Sequence, residues 1–452
     1  MRSAPGDVDG TEPHVSDART VSFATLGCRL NQVDTQQLQT LLEARGFKTV
    51  AFDEPADVVV VNTCTVTARA EFSDRQMIRR AARVSPRGKL VVTGCWAQTS
   101  PGDVAGMEEV DLVVGNADKH RLPELLERVV TDTVHVSDIG RARTIEVAPP
   151  ARVLGRSRAF LKVQDGCQHR CAFCVVPLAR GGSRSLEPRV VLDQARLLVA
   201  AGHPEVVLTG VDLGHYGADL VPRTTLAALL RSLVEIRGLR WLRLSSLLPA
   251  YFTVELVEAV TASPVVAPHF HIPLQSGSDR VLRAMRRPYN TRMYRALVER
   301  LVAARPRLGL GADVIAGFPG ETDEDFAETV ACVRALPFSY LHVFPYSRRQ
   351  GTEAARLEGQ LDPGTIMRRS RALREVGRLK SHEFRQGLAG RVEDVLVLET
   401  PDRTTGALVG LTGNYVEVSF PGPRALMRKL ARVRVMGADG DRAVGELEAQ
   451  AS

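Results

Sequence analysis

No run of eighteen or so apolar residues occurs among the 452 positions, which excludes a transmembrane helix. Seven cysteines over that length are too few for a disulfide scaffold. The start, MRSAPGDVDGTEPHVSD, lacks any apolar stretch and is expected to be a disordered tail over 1–18, not a secretory leader. Reduced thiols and a cytoplasmic location follow as the expectation. Charge of one sign is in only slight excess: 59 Lys and Arg against 52 Asp and Glu leave +7, which permits a nucleic-acid partner without demonstrating one. Tandem repeats and low-complexity tracts are also missing.

What is present is an ordinary globular composition, long enough for about three domains. Residues 20–130 alternate apolar runs (TVSFATLG, ADVVVVNT, KLVVTG, VDLVVGN) with amphipathic stretches at 35–46 and 69–84. Strand then helix, repeated, argues a parallel sheet covered by helices, an α/β domain over 19–131. Residues 132–152 carry little apolar periodicity and include Pro149-Pro150, as a linker would. Over 153–386 the alternation returns on a larger scale, with candidate strands AFLKVQD, EVVLTG, WLRLSS, HFHIPL, LGLGADVIAG and YLHVFPY. Six strands with intervening helices fit a partial βα barrel, short of the usual eight units, closed by a helical stretch over 365–386. The remainder, 387–452, reads as a meander of short strands and is expected to form a small β-barrel.

The cysteines carry the chemistry. Cys167, Cys171 and Cys174 stand in DGCQHRCAFC, a C-x3-C-x2-C spacing just after the first strand of the larger segment. Buried thiols or most of a zinc site are the plain alternatives, but structural zinc wants four closed ligands and His169 is squeezed between the others. Three Cys on a [4Fe–4S] cluster leave one iron open, a departure from four-Cys ligation. Cys28, Cys64 and Cys95 each follow a predicted strand and a short turn (ATLGC, VVNTC, VTGC). Strand ends of a parallel sheet line one edge, so a second three-Cys cluster is the better reading than three separate buried thiols. Cys332 falls in the apolar stripe of 323–336 and is expected in the core.

The C-x3-C-x2-C motif resembles the radical S-adenosylmethionine (SAM) superfamily. Its pairing with the first triad resembles the methylthiotransferases along nearly the whole chain. GCRLNQVDT (27–35), VNTCTVT (61–67) and TGCWAQ (93–98) resemble the three amino-terminal cysteine motifs. RAFLKVQDGCQHRCAFCVVPLARGGSRS (158–185), HIPLQSGSDRVLRAMRRPY (271–289), ADVIAGFPGETDEDF (312–326) and HVFPYSRRQGTEAA (342–355) also look family-like. Asp34 stands where a Glu is common. Residues 387–452 resemble the RNA-binding TRAM domain. The resemblance implies two [4Fe–4S] clusters, the second chelating SAM, and a reaction in which one SAM methylates a sulfur at the first cluster. A second SAM is cleaved to a 5′-deoxyadenosyl radical that activates the substrate C–H, chemistry that side-chain acids and bases cannot supply. A reducing electron donor and a source of sulfur are required partners.

The wording of 161–167, 275–289 and 346–354 resembles the branch that modifies C2 of N6-threonylcarbamoyladenosine at position 37 of tRNA, beside the anticodon. The branch acting on N6-isopentenyladenosine is the nearest alternative, and one acting on a ribosomal-protein aspartate is the third. A non-catalytic iron–sulfur or zinc-stabilised RNA-binding protein is the reading from another class. Gly210, Ser245, Gln275 and Gly317, at or just past strand ends, are candidates for SAM, through close backbone approach or polar donors. Their plain role is turn glycine or capping hydroxyl. Arg391, Arg428, Lys429 and Arg432 are candidate RNA contacts, with Tyr415 and Phe420 as candidate stacking residues unless they are core. Arg286, Arg287, Arg348 and Arg349 are candidate donors to a threonylcarbamoyl group.

Overall fold

The computed structural model describes residues 19–127, 133–146 and 156–448. The expected tail over 1–18 and residues 132 and 147–152 of the expected linker lie outside them. The first unit is a six-stranded, all-parallel sheet in the order β2-β1-β3-β4-β5-β6. Its strands are β1 (Thr20–Thr25), β2 (Lys48–Thr49), β3 (Val58–Thr63), β4 (Lys89–Gly94), β5 (Leu112–Val114) and β6 (Val134–His135). VVVVNT of β3 is buried throughout, as befits a strand covered on both faces. Its Val58 and Val60 join the core under α1 (Arg29–Glu43), while Val59 and Val61 join the core under α2 (Ala68–Val84). Strand β6 falls inside the segment expected to be linker, and corrects it. Two residues are too few to show a period.

The second unit has six parallel strands: β7 (Arg158–Lys162), β10 (Glu205–Thr209), β11 (Trp241–Leu244), β12 (His269–His271), β13 (Gly309–Ala316) and β14 (Tyr340–Pro345). A two-stranded ribbon, β8 (Gln164–Asp165) with β9 (Arg184–Ser185), follows the first of them. Pairing runs β7-β10-β11 and β12-β13-β14, and the halves meet through a Leu242–Val266 bridge and the Leu247 N–H donating to the His271 carbonyl at 3.0 Å. Among the described residues β14 and β7 do not pair, so the barrel stays open there, and α1 packs along β7.

Alternation sorts the strand residues. Leu161, Leu208, Leu242, Phe270, Val314, Leu341 and Val343 pack outward in one large core under the helices. Lys162, Arg243, His269, His271, Asp313, Tyr340 and His342 therefore face the barrel interior, which is polar. Cys332 lies in the outer core as expected. The helix Pro363–Gln386, capped by Asp362 accepting from the Thr365 N–H, leads to the third unit. There β15 (Val392–Val397), β16 (Leu408–Thr412), β17 (Glu417–Phe420), β18 (Leu430–Asp439) and β19 (Arg442–Leu447) close into a barrel. No helix among the described residues is long and apolar enough to cross a membrane.

Candidate active site between two cysteine triads

The first triad forms where the sequence pattern puts it. Cys28 precedes α1, Cys64 directly follows β3, and Cys95 opens the short helix α3 (Cys95–Thr99) after β4. Strands β1, β3 and β4, which the three cysteines follow, are neighbours, so the turns meet at one edge. Two glycines allow the approach: at Gly27 (φ +92°) a Cβ would stand 2.8 Å from the Cys64 Sγ, and at Gly94 (φ +104°) 2.4 Å from the Thr63 carbonyl oxygen. Burial, reinforced by the nearby Cys95, Cys28 and Asp74, pushes the Cys64 thiol up to about 12. Burial and Cys28 likewise raise Cys95, against the pull of Arg180 and Lys119. Buried sulfurs that raise one another carry thiolate charge only around a positive centre, which is the chemistry of a metal-binding donor set.

The second triad lies in the loop after β8. The Cys174 N–H donates to the Cys171 carbonyl at 3.0 Å, the His169 N–H to the Cys167 Sγ at 3.4 Å, and Arg287 Nη1 to the Cys171 Sγ at 3.1 Å. Burial and the adjacent Asp212 carboxylate push the Cys167 thiol far up, and burial takes Cys174 up to about 11. The same donor logic therefore applies. Between the triads runs a buried ionic seam. Arg180, six residues past Cys174, donates to Asn31 (2.6 Å), Asp34 (2.9 Å) and Asp165 (3.1 Å). Asp34 also takes Lys162 at 2.6 Å and Lys119 at 2.8 Å. Burial opposes its charge, but Lys119, Lys162 and Arg180 hold it well below the usual carboxylate range.

A cavity of 190 Å³ opens beside the second triad, lined by Cys174, Gln275, Asp313, Ile315, Phe344 and, from the first unit, Val66 among others. Gln275 holds a left-handed φ of 66°, and its Oε1 is buried without a hydrogen bond. An orphaned acceptor beside a cavity marks a place for a ligand. Gly210 and Ser245 lie side by side after β10 and β11, the Gly210 N–H donating to Ser245 Oγ at 3.4 Å. Gly317 is set apart: its φ is +80°, and a Cβ there would meet Ile366 of the long helix at 2.6 Å.

Arg391, Arg428, Lys429 and Arg432 are all exposed on the terminal barrel. The stacking expectation fails for both aromatics. Phe420 is core. Tyr415, in the left-handed turn between β16 and β17, inserts beneath the larger barrel, stacks on His269 at 4.3 Å and accepts from Arg29. The four arginines singled out for the substituent are also engaged: Arg287 with Cys171 and Tyr289, Arg286 with Glu353, Arg349 with Glu71, and Arg348 with the Ala355 carbonyl. What the sequence reading missed is the interior wall of His271, Asp313 and His342. The alternation of His269 and His271 in HFH and of Tyr340 and His342 in YLH was its only signal.

A partial βα barrel with a three-cysteine loop above its first strand is the architecture of a radical SAM enzyme, and residues 161–333 match the radical SAM superfamily. Residues 20–115 match the uncharacterized protein family UPF0004. The chain is 38% identical to the threonylcarbamoyladenosine tRNA methylthiotransferase MtaB of Bacillus subtilis, over 93% of this chain and 94% of that one. It is 40% identical to the MtaB of Aquifex aeolicus, over 92% and 100%. The tRNA-2-methylthio-N(6)-dimethylallyladenosine synthase of Parafrankia sp. is 36% identical over 90% and 84%. Among solved structures, the radical SAM methyltransferase TsrM from Kitasatospora setae shares the fold at TM-score 0.54 and 19% identity, covering 73% of this chain and 76% of that one. The chain belongs to the radical SAM methylthiotransferases: it is an enzyme that transfers a methylthio group, and membership implies a [4Fe–4S] cluster and SAM.

Proposed function

We propose that this enzyme methylthiolates C2 of N6-threonylcarbamoyladenosine beside the anticodon of tRNA, with two [4Fe–4S] clusters and two SAM molecules per product. The observation that supports the reading is that the thiols within each set raise one another on either side of one ionic seam, with a cavity beside Cys174 of the second set. The names of relatives aligned over more than nine-tenths of the chain support the substrate. Cys28, Cys64 and Cys95 would hold the first cluster, and Cys167, Cys171 and Cys174 the second. When bound, these groups and SAM supply a sulfur to be methylated and a reductive SAM cleavage that activates the unreactive C2–H bond.

The protein's part is to bind, orient and exclude water. Arg287, buried against Cys171, offsets negative charge at the second triad. Arg180 does the same for Cys95 and Cys28. Gln275 offers its free Oε1 to the SAM nucleoside or amino group, and Gly210 and Ser245 complete the strand-end surface, while Gly317 packs against Ile366. Arg391, Arg428, Lys429 and Arg432 would meet tRNA phosphates, so the unit over 387–452 contributes affinity and the units over 19–131 and 153–386 the chemistry.

Nucleoside analysis of tRNA from cells with and without the gene tests the reading. Loss of 2-methylthio-N6-threonylcarbamoyladenosine alone is expected. Loss of the 2-methylthio isopentenyl nucleoside instead favours the second reading, which the dimethylallyladenosine synthase relatives support.

A further inference from the structure

Strands β12, β13 and β14 carry a graded inner wall. At the floor His269 Nε2 and Tyr340 Oη lie 2.8 Å apart. One step up, Tyr340 Oη meets His271 Nδ1 at 3.0 Å, and His271 Nε2 meets Asp313 Oδ1 at 2.9 Å. The same carboxylate oxygen lies 3.3 Å from His342 Nδ1. A further step up, Phe344 and Gln275 line the cavity that contains Cys174 and is also bordered by Asp313. Asp313, half-buried, stays ionised against its desolvation because His271 and His342 hydrogen-bond to it. His342 is 56% exposed to the open interior. The closest approaches within the trio are made by His342 Nδ1 and Asp313 Oδ1, not by His342 Nε2 or Asp313 Oδ2.

We propose that His342, positioned by Asp313 and His271, reads the N6 substituent of the target adenosine and sets the preference for threonylcarbamoyl over isopentenyl. This rests on the substrate reading above. With Nδ1–H donating to Asp313, His342 Nε2 is an acceptor, and Asp313 Oδ2 is a second one beside it. Beyond the N6–H that both nucleosides carry, threonylcarbamoyl adds matching donors, the second ureido N–H and the hydroxyl, while repulsion from Asp313 turns its carboxylate away. Isopentenyl adds no donor and would leave the acceptors short of a partner. A site built to hydrogen-bond a substituent rejects its apolar counterpart by roughly tenfold to a hundredfold per stranded group. Gly311 makes the wall possible: a Cβ there would stand 2.1 Å from the Tyr340 ring, the anchor of His271.

The test offers anticodon stem-loops carrying each modified adenosine, in parallel, to cluster-loaded wild type, His342→Phe and His342→Gln. Wild type is expected to prefer threonylcarbamoyl. His342→Phe should lower kcat/KM on it about tenfold to a hundredfold, mainly through KM, and shrink the ratio between the two substrates. His342→Gln, which keeps an acceptor, should recover part of that ratio. Iron and sulfide content equal to wild type excludes misfolding, and Asp313→Asn repeats the test if His342→Phe fails to load. An unchanged ratio in a fully loaded variant overturns the proposal. A wild type that prefers isopentenyl overturns the substrate reading first, before any variant is made. One zinc or manganese ion per wild-type chain, lost in His342→Phe, would make the trio a metal site and overturn direct reading.

Discussion

Replacing Asp34 by Asn probes the seam between the first two units through a charge count. Asp34 accepts from Lys162 at 2.6 Å, Lys119 at 2.8 Å and Arg180 at 2.9 Å. Asp165 takes Arg180 at 3.1 Å and Lys162 at 3.6 Å. Three cations thus face two carboxylates, and Asp34→Asn leaves them facing one. Each contact amounts to about 6 kcal/mol at an effective dielectric of 20. Desolvation offsets much of that, and stripping one partner from a buried ion network costs about 3–5 kcal/mol. The easiest relief is loss of a proton from Lys119, whose pKa burial lowers and which Asp34 chiefly props up. Neutralising a lysine with an unfolded value near 10.4 costs about 4.6 kcal/mol at pH 7, so both routes give a similar figure. In that case the unfolded variant binds one proton more than the folded one, and stability rises with pH by about 1.4 kcal/mol per unit. The deficit of Asp34→Asn against wild type should then shrink to about 1–2 kcal/mol at pH 9. Urea unfolding of the cluster-loaded protein at pH 7, 8 and 9 measures it. A deficit below about 1 kcal/mol at pH 7, or one that ignores pH, refutes the argument. Asp34→Glu, the longer acid common at this place in the family, should cost about 1–3 kcal/mol by overpacking, with no pH dependence.

The cysteine triads were legible because their geometry is local or strand-terminal. C-x3-C-x2-C needs only one loop, and three strand-end cysteines need only adjacent parallel strands. The six large-barrel strands and the terminal barrel were legible from period and turn chemistry. What stayed hidden depends on which strands become neighbours and on where long side chains end. The alternation in HFH and YLH tells that His269 and His271 share a face, and Tyr340 and His342 another. It does not tell that β13 lies between them and brings Asp313 to both. The RRPY and YSRRQ arginines look like free donors in sequence, yet Arg287 and Arg349 end on Cys171 and Glu71 across the fold. Tyr415 reads equally well as core or as a stacking residue of NYVEVSF. Its left-handed turn and its seat under another unit were not encoded in that period.

Three further outcomes are expected. Cys167, Cys171 and Cys174 replaced together by Ala should leave one [4Fe–4S] cluster after anaerobic reconstitution. Complete loss of iron, or a wild type that never exceeds one cluster, would contradict two separate sites. Charge reversal at Arg428, Lys429 and Arg432 should weaken tRNA binding and reduce its salt slope by roughly 0.7–0.9 per lost phosphate contact, with iron content unchanged. An unaltered salt series would remove these residues from the interface. The third outcome concerns Tyr415, whose ring packs on His269 at 4.3 Å, with the Arg243 guanidinium 5.1 Å from its centroid. Arg243 is itself sealed between Glu205 (2.8 Å) and the Gly413 carbonyl (2.9 Å), so this turn pins the terminal barrel to the floor of the larger one. Tyr415→Ala should therefore cost about 3–5 kcal/mol, as large-to-small aromatic changes in cores do. Tyr415→Phe should cost less, because the ring stays and only the hydrogen bonds from Arg29 and Arg158 to its hydroxyl are lost. A residue that stacks on RNA behaves in the opposite way, lowering affinity at unchanged stability. Thermal unfolding and tRNA titration of the same samples separate the two, and a stable Tyr415→Ala with weakened RNA binding would return this ring to the RNA interface.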